Sequence, residues 1–496
     1  MFTPALLKGE TWGFPGQPVE QVETHAAHVF LVGDRAFKIK KDVRLPYLDF
    51  STVEKRRAAL AAELEINRLF TPDLYLGLEE VHGEPVLVMR RFPPSALLTW
   101  QAAHGGIAAG LAAQLAAMVA KSHANAPRRD VRGSEIMTGL GAQLSQAFID
   151  SPDIFPPADT LEFHALYEAA LRCDRQLLAD RGERGLVRRC HGDVHCGNIF
   201  LENGGPRLFD AIEFSEKIAT IDVLYDLAFL LMDLWSSGEK SAANLVLIRY
   251  LHLRRREEDL SGLSLLPLFL STRAGVRALV TADLAHELAL KNSMKERSQA
   301  LDWFRASIEY LKVKSPMLLC VGGLSGSGKT TAAAALAPDL GAPPGAIHVR
   351  SDVERKVLAG IAEEEPLQPE SYTRQASFEV YATCFARAER ALAAGHSVII
   401  DAVFADKEER DAAEELARRT RAQFAGVWLE SPPGTLAARV AARSRDASDA
   451  TPGVVERQLG YDLGRIAWPR VDSSGSAGQT LVRIRQTVPL RFAAPA

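Results

Sequence analysis

Met317-Leu-Leu-Cys-Val-Gly-Gly-Leu-Ser-Gly-Ser-Gly-Lys-Thr-Thr331 runs from an apolar stretch into a glycine-rich loop and on into an alanine-rich segment. Inside it, Gly323-x-x-x-x-Gly328-Lys329-Thr330 is a complete phosphate-loop pattern, and strand, loop and helix in that order is the context such a pattern requires. Glycines let successive backbone N–H groups turn toward phosphate oxygens, and the following helix N-terminus adds a favourable dipole. The spacing predicts a nucleotide cradle of Gly323, Ser325, Gly326, Ser327, Gly328, Lys329, Thr330 and Thr331. Lys329 would reach the β- and γ-phosphates of ATP, and the Thr330 hydroxyl would bind Mg²⁺.

Downstream, Ala346 to Asp352, His396 to Asp401 and Ala425 to Leu429 read as further strands. In parallel α/β sheets ligands bind beyond the carboxyl ends of strands, so Arg350 and Asp352 are expected to face the phosphates. Asp352 would accept the proton of an attacking hydroxyl, and Asp401 would orient Mg²⁺. Each acid has an alternative reading as a helix N-cap. Arg439 and Arg443 are four apart and share one helix face, where they would neutralise charge on a transferring phosphoryl group. The alternative there is a solvated basic face. This order of features resembles small P-loop kinases (gluconate kinase, zeta toxin, the kinase domain of polynucleotide kinase) over residues 316–490. The resemblance implies an α/β domain with a parallel sheet and helices on both faces, and a kinase rather than a mechanical ATPase.

A second informative stretch lies upstream, Cys190-His-Gly-Asp-Val-His-Cys-Gly-Asn-Ile-Phe200, followed by Arg207-Leu-Phe-Asp210. Phosphoryl transfer needs an acceptor for the substrate hydroxyl proton and oxygen ligands for Mg²⁺. Asp193 is the candidate base, Asn198 and Asp210 the candidate metal ligands, and His191 a brace for the loop. His195 and Cys196 read as structural. The run His191 to Asn198 resembles the His-Gly-Asp-x-His-x-x-Asn loop of the aminoglycoside phosphotransferase and choline kinase family. That resemblance covers roughly residues 25–310 and implies a two-lobed α+β fold of protein-kinase type. It also implies Lys38 on the α/β-phosphates, Glu63 anchoring that lysine, and Asp222 and Asp226 supporting the loop. Lys40 on the same strand face, and Glu65 two residues from Glu63, leave those two assignments open. One departure stands out: Glu23-Thr-His-Ala-Ala-His28, where a glycine-rich loop over ATP would lie, contains no glycine.

At 496 residues the chain is long enough for two to four domains. A hydrophobic share of 47% and a charged share of 24% are those of a globular protein. A net charge of -4 argues against a general nucleic-acid binder. Five cysteines without a C-x-x-C pair suggest neither a disulfide framework nor a zinc site, and a cytoplasmic setting. No uncharged run approaches the ~18 residues of a membrane helix, and the N-terminus lacks a signal-peptide pattern. The basic run His252 to Arg256 is read as a solvated face.

The sequence thus predicts a phosphotransferase-like domain over 1–314 and a P-loop kinase domain over 315–496, resembling a bacterial fusion of those two kinds. The expected function is bifunctional transfer of the γ-phosphoryl of ATP, with Mg²⁺, to small-molecule hydroxyls, sugars or their derivatives favoured. Two rivals stay open: a P-loop kinase gated by a ligand-sensing pseudokinase, and a toxin-like nucleotide-sugar or polynucleotide 5′-hydroxyl kinase. A polynucleotide acceptor calls for a basic, aromatic-lined groove, which the sequence does not display. Oligomeric state is not decided by the sequence.

Overall fold

The computed structural model describes residues 4–24, 26–45, 48–287, 293–312, 314–442 and 447–488. It divides into two compact units, Met1–Gly139 with Arg175–Glu239, and Leu140–Asp174 with Lys240–Ala496.

In the first unit a hairpin forms as strands Ala27–Val32 and Arg35–Lys40, joined at Gly33-Asp34. They belong to a five-stranded antiparallel sheet ordered Glu20–Glu23, Ala27–Val32, Arg35–Lys40, Glu84–Arg90, Tyr75–Val81. Period-two alternation sends Phe30, Val32, Phe37, Ile39, Val86 and Val88 to one face, where they pack with Leu6 and Trp12. Burying each such side chain stabilises the fold by about 1.5–3 kcal/mol. Lys38 and Lys40 therefore emerge together on the opposite face. Thr52 caps the helix Val53–Arg68 by accepting the Lys55 N–H. Leu60 of that helix packs with Leu74, Tyr75, Leu87 and Phe200, which sets Glu63 beneath the lysine strand. Short strands Val187–Arg189 and Thr220–Asp222 pair antiparallel, as do Ile199–Glu202 and Gly205–Leu208. They hold the His191–Asn198 loop between them.

The second unit carries a five-stranded, wholly parallel sheet ordered Ile347–Arg350, Val398–Asp401, Met317–Gly323, Gln423–Glu430, Arg470–Asp472. Leu319, Val321, Ile399, Val427 and Leu429 bury one face against helices Lys329–Leu336 and Ala477–Thr487. Helices Arg374–Ala393 and Lys407–Arg419 pack on the strands without joining that cluster. The expected strand Ala346–Asp352 is shorter: it ends at Arg350, and Asp352 lies in the first turn of the helix Ser351–Leu358.

The expected boundary at 314/315 marks where the parallel sheet begins, but not where the packing divides. Helix Lys240–Arg254 packs with the P-loop part, and Asn244 Nδ2 donates to the Ala346 carbonyl at 3.0 Å. An aromatic group of Phe148, Phe155, Phe163 and Phe304 ties the other helices of this unit together. The basic run is also not a solvated face. Arg249 and His252 lie 2.6 and 2.8 Å from Glu363, and Arg255 lies 3.0 Å from Glu354. Arg249 and His252 are three apart on the helix and share the face toward Glu363, while Arg255, just past the helix end at φ +49°, turns to Glu354. One helical run, Glu257–His286, is long and apolar enough to cross a membrane, and 67% of its apolar window is buried inside the protein.

Candidate active sites

In the first unit, Lys38 Nζ stands 2.6 Å from Glu63 Oε1 and 2.7 Å from Asp210 Oδ1. Glu63 is fully buried, whereas Glu65 is exposed, which settles the helix partner. Both lysines reach it: Lys40 Nζ lies 2.7 Å from Glu63 Oε2 and 2.6 Å from Glu213 Oε1. Of the two, Lys38 touches Asp210, so it is the lysine that faces the candidate metal acid. Burial pushes the Lys38 ammonium down, yet the charges of Asp210, then Glu63 and Glu213, hold it well above its usual range. Burial likewise raises the Asp210 carboxyl, but Lys38 outweighs it and the net shift is downward.

Asp193 and Asn198 meet across the loop: Asn198 Nδ2 donates to Asp193 Oδ2 at 2.8 Å and to its carbonyl at 3.1 Å. His191 braces the turn as expected. Its Nδ1 accepts the Asp193 N–H at 3.3 Å, and its Nε2 lies 3.0 Å from the Phe209 carbonyl. Asp226 Oδ1 accepts the Gly192 N–H at 2.9 Å, while its Oδ2 lies 3.1 Å from His123 Nε2. His123, Cys190 and Asp226 are all buried within 4.8 Å of one another, a grouping these bonds explain as a loop anchor. Asp222 caps helix Val223–Ser236 and takes two bonds of 2.7 Å from Arg181. Sequence reasoning missed Glu213, and with it Tyr75, whose hydroxyl oxygen accepts the Asp210 N–H at 2.9 Å. The one signal available was a third acid three residues after Asp210.

In the second unit the glycine loop is shaped for an anion. Gly323 and Gly326 have φ of +140° and +85°. A Cβ on either would stand 2.5 Å from a backbone oxygen, of Leu429 and Leu436 respectively. Gly328 N-caps helix Lys329–Leu336, and Thr331 lies in its first turn. Ser327 Oγ is buried without a hydrogen-bond partner, and Lys329 Nζ rests 3.1 Å from the Leu324 carbonyl. The Ser325 N–H is taken by Gln458 Oε1 at 2.8 Å, a contact no sequence motif announced. Thr330 Oγ1 donates to Asp401 Oδ2 at 2.5 Å. Burial raises the Asp401 carboxyl, but the His348 ring 3.6 Å away, aided by Lys329 and Arg350, holds it at about 2. Burial, and then the Asp401 charge, push Asp352 the other way, above its ordinary value. One helix turn beyond Asp352, the buried Lys356 lies 2.7 Å from Asp449.

Arg439 differs from expectation. Its guanidinium donates to the carbonyls of Ser473 at 2.8 Å, Ser474 at 3.2 Å and Gly475 at 2.8 Å. It fastens the loop after the last strand and is not a free lid arginine, because carbonyls there outcompete solvent for a planar five-donor group. Arg443 lies outside the described residues.

Both sites suit Mg²⁺ and a nucleotide triphosphate. Around Lys38 and Lys40 stand the carboxylates of Glu63, Asp210 and Glu213, three acids to two bases, a setting whose oxygen ligands favour a hard cation. In the second unit, the orphaned Ser327 hydroxyl, the glycine concavity and the Thr330–Asp401 pair form the complementary cradle.

Residues 25–263 match the model of a family described as "Phosphotransferase enzyme family", and residues 318–461 match the one described as "AAA domain". The chain is 30% identical over 481 residues to the uncharacterized protein Rv2004c of Mycobacterium tuberculosis (strain ATCC 25618 / H37Rv), covering 92% of this chain and 94% of that one. The same figures hold for the uncharacterized protein Mb2027c of Mycobacterium bovis. Among solved structures, a choline/ethanolamine kinase family protein from Mesorhizobium loti aligns at 15% identity and a TM-score of 0.38, over 59% of this chain and 92% of its own. A gluconokinase from Sinorhizobium meliloti 1021 aligns at 22% identity and a TM-score of 0.26, over 35% of this chain and 95% of its own.

Proposed function

The chain belongs to one family with these mycobacterial proteins, as a phosphotransferase-family domain joined to a P-loop kinase domain, and from that premise we propose a bifunctional enzyme. Each domain transfers the γ-phosphoryl of ATP to a small-molecule hydroxyl, with sugars or sugar derivatives the first class to test. The observation that supports the reading is duplication: each unit has a lysine and an acid suited to phosphate and metal, Lys38 beside Asp210, and Lys329 in the glycine loop whose Thr330 bonds Asp401.

In the first unit, Lys38 holds phosphate oxygens while Glu63 fixes its direction. Asp193, oriented by Asn198, accepts the proton of the acceptor hydroxyl. In the second, the loop N–H groups and Lys329 hold the phosphates, and Asp352, raised toward the working pH, takes the acceptor proton. Asn198 and Asp210 in one unit, and Thr330 and Asp401 in the other, would hold Mg²⁺, which when bound draws charge from the phosphate oxygens. The five cysteines, none of them in a disulfide, support a reducing, cytoplasmic setting.

A second reading rests on the glycine-free turn before Ala27: the first unit binds nucleotide and signals without transferring. Calorimetric titration with a non-hydrolysable ATP analogue and Mg²⁺ addresses the duplication itself. The full chain should bind at two sites, and Lys329→Ala and Lys38→Met should each keep one. A single site lost altogether in Lys329→Ala would sink the bifunctional reading.

A further inference from the structure

We propose that Lys40 is a positioning residue of the first site. It bridges Glu63 to Glu213 and holds the phosphate lysine and the metal-acid loop at working distance where no glycine-rich loop does so. The proposal rests on the phosphotransferase reading of that unit.

Lys38 is asked to do two things at once. Its ammonium carries three protons, and two already go to Glu63 Oε1 and Asp210 Oδ1. Bonds to both an α- and a β-phosphate oxygen would use two of the three protons and leave Lys38 only one for its two carboxylates. A buried carboxylate left unpaired is costly, so Glu63 needs a partner that stays. Lys40 supplies the opposing charge: its Nζ forms an ion pair with Glu63 Oε2 at 2.7 Å, without a hydrogen bond to that oxygen, so Glu63 has a second cation beside Lys38. The strand makes this possible, since residues 38 and 40 share one face and Glu63, fully buried beneath them, presents one oxygen to each.

The other end of the bridge acts on the metal loop. Asp210 sits at φ +61°, a left-handed backbone that a non-glycine residue holds only when its surroundings impose it. Three groups impose it here. Tyr75 Oη accepts the Asp210 N–H at 2.9 Å, Asn67 Oδ1 accepts the Ala211 N–H at 2.8 Å, and Lys40 Nζ holds Glu213 at 2.6 Å. Lys40 is the charged member of the three and the one that also touches the lysine anchor.

Its register explains why it stands there. Lys40 lies opposite Ala27, where the turn is stapled by Thr24: the Thr24 N–H donates to Ala27 O at 2.9 Å, and the Ala27 N–H donates to Thr24 Oγ1 at 3.0 Å. Thr24 and Ala27 thus spend their own amide N–H groups on each other and not on phosphates. The cleft is held from below instead.

The test uses the full chain carrying Lys329→Ala, so that a fluorescent ADP analogue reports the first site alone, with Mg²⁺ titrated. Lys40→Met and Glu213→Gln should each raise the Mg²⁺ concentration for half-maximal binding by about tenfold, the scale of one charge-assisted bond. The double variant should be no worse than the more affected single one, because both break the same bridge. Lys38→Met should remove binding. A purely structural Lys40 would lower Tm and leave the Mg²⁺ midpoint alone. Midpoints unchanged in both variants, or effects that simply add, overturn the bridge while leaving the site intact. If Lys40→Met does not fold, Glu213→Gln, which keeps the side chain's shape, decides alone. Should the Lys329→Ala parent show no Mg²⁺-dependent binding sensitive to Lys38→Met, the phosphotransferase reading of this unit falls, and the bridge with it.

Discussion

Asp193 and Asn198 are five residues apart in sequence and 2.8 Å apart in space, and that bond aims the carboxylate into the cleft. Asp193→Asn keeps the shape but removes the proton acceptor. Transfer by the first site should fall by about a thousandfold with nucleotide binding unchanged, read by parallel turnover and titration experiments. Asp352 invites a different measurement. Burial and the Asp401 charge raise its carboxyl above the ordinary 3.8, so the folded chain keeps this proton to higher pH than the unfolded chain does. Its contribution to stability therefore falls as pH rises from the unfolded value through the folded one. Asp352→Asn removes that loss, so its Tm should exceed the parent's near neutral pH, while the two should melt alike below both values. Calorimetry at both pH values checks the sign.

At the level of elements, the phosphate loop and its helix were legible because a motif and a helix former adjoin in the sequence. Gly326 shows how tightly that loop is built: φ is +85°, and a Cβ would meet the Leu436 carbonyl at 2.5 Å. Gly326→Ala should weaken nucleotide binding by the second site about tenfold or more in the same titration. The hairpin Ala27–Val32 and Arg35–Lys40 was legible for a similar reason, since its alternation and turn are local. Features set by distant partners were not. His252 to Arg256 balances part of its charge locally, Arg254 on Asp259 and Arg256 beside Glu258, but nothing local shows that the distant Glu363 and Glu354 take up His252 and Arg255. Arg439 read as a lid arginine because only the folded chain brings the 473–475 carbonyls to it. The choice between Lys38 and Lys40 stayed open in the sequence because both lie on one strand face, and in the fold both reach Glu63. Glu354 also receives Arg387 at 3.2 Å, so Arg255→Ala leaves it half-paired. A loss of about 1–3 kcal/mol in urea unfolding is expected, on the scale of one broken charged bond.

For the molecule as a whole, the family matches meet between residues 263 and 318, yet the second compact unit takes in Leu140–Asp174 and everything from Lys240 onward. Helices that the sequence assigns to the first domain thus support the P-loop domain, through Asn244 on Ala346 and Arg255 on the helix that carries Asp352. A fragment starting at 315 should melt well below one starting at 240. Equal melting would show those contacts to be idle.

The central claim is that one chain holds two phosphoryl-transfer centres. The most direct measurement is transfer from γ-labelled ATP to a library of hydroxyl metabolites, run with the parent, Asp193→Asn, Lys329→Ala and the double variant. Each single variant should lose one set of labelled products and keep the other, and the double variant should lose both. Loss of every product in either single variant, or labelled products surviving in the double one, would contradict the account.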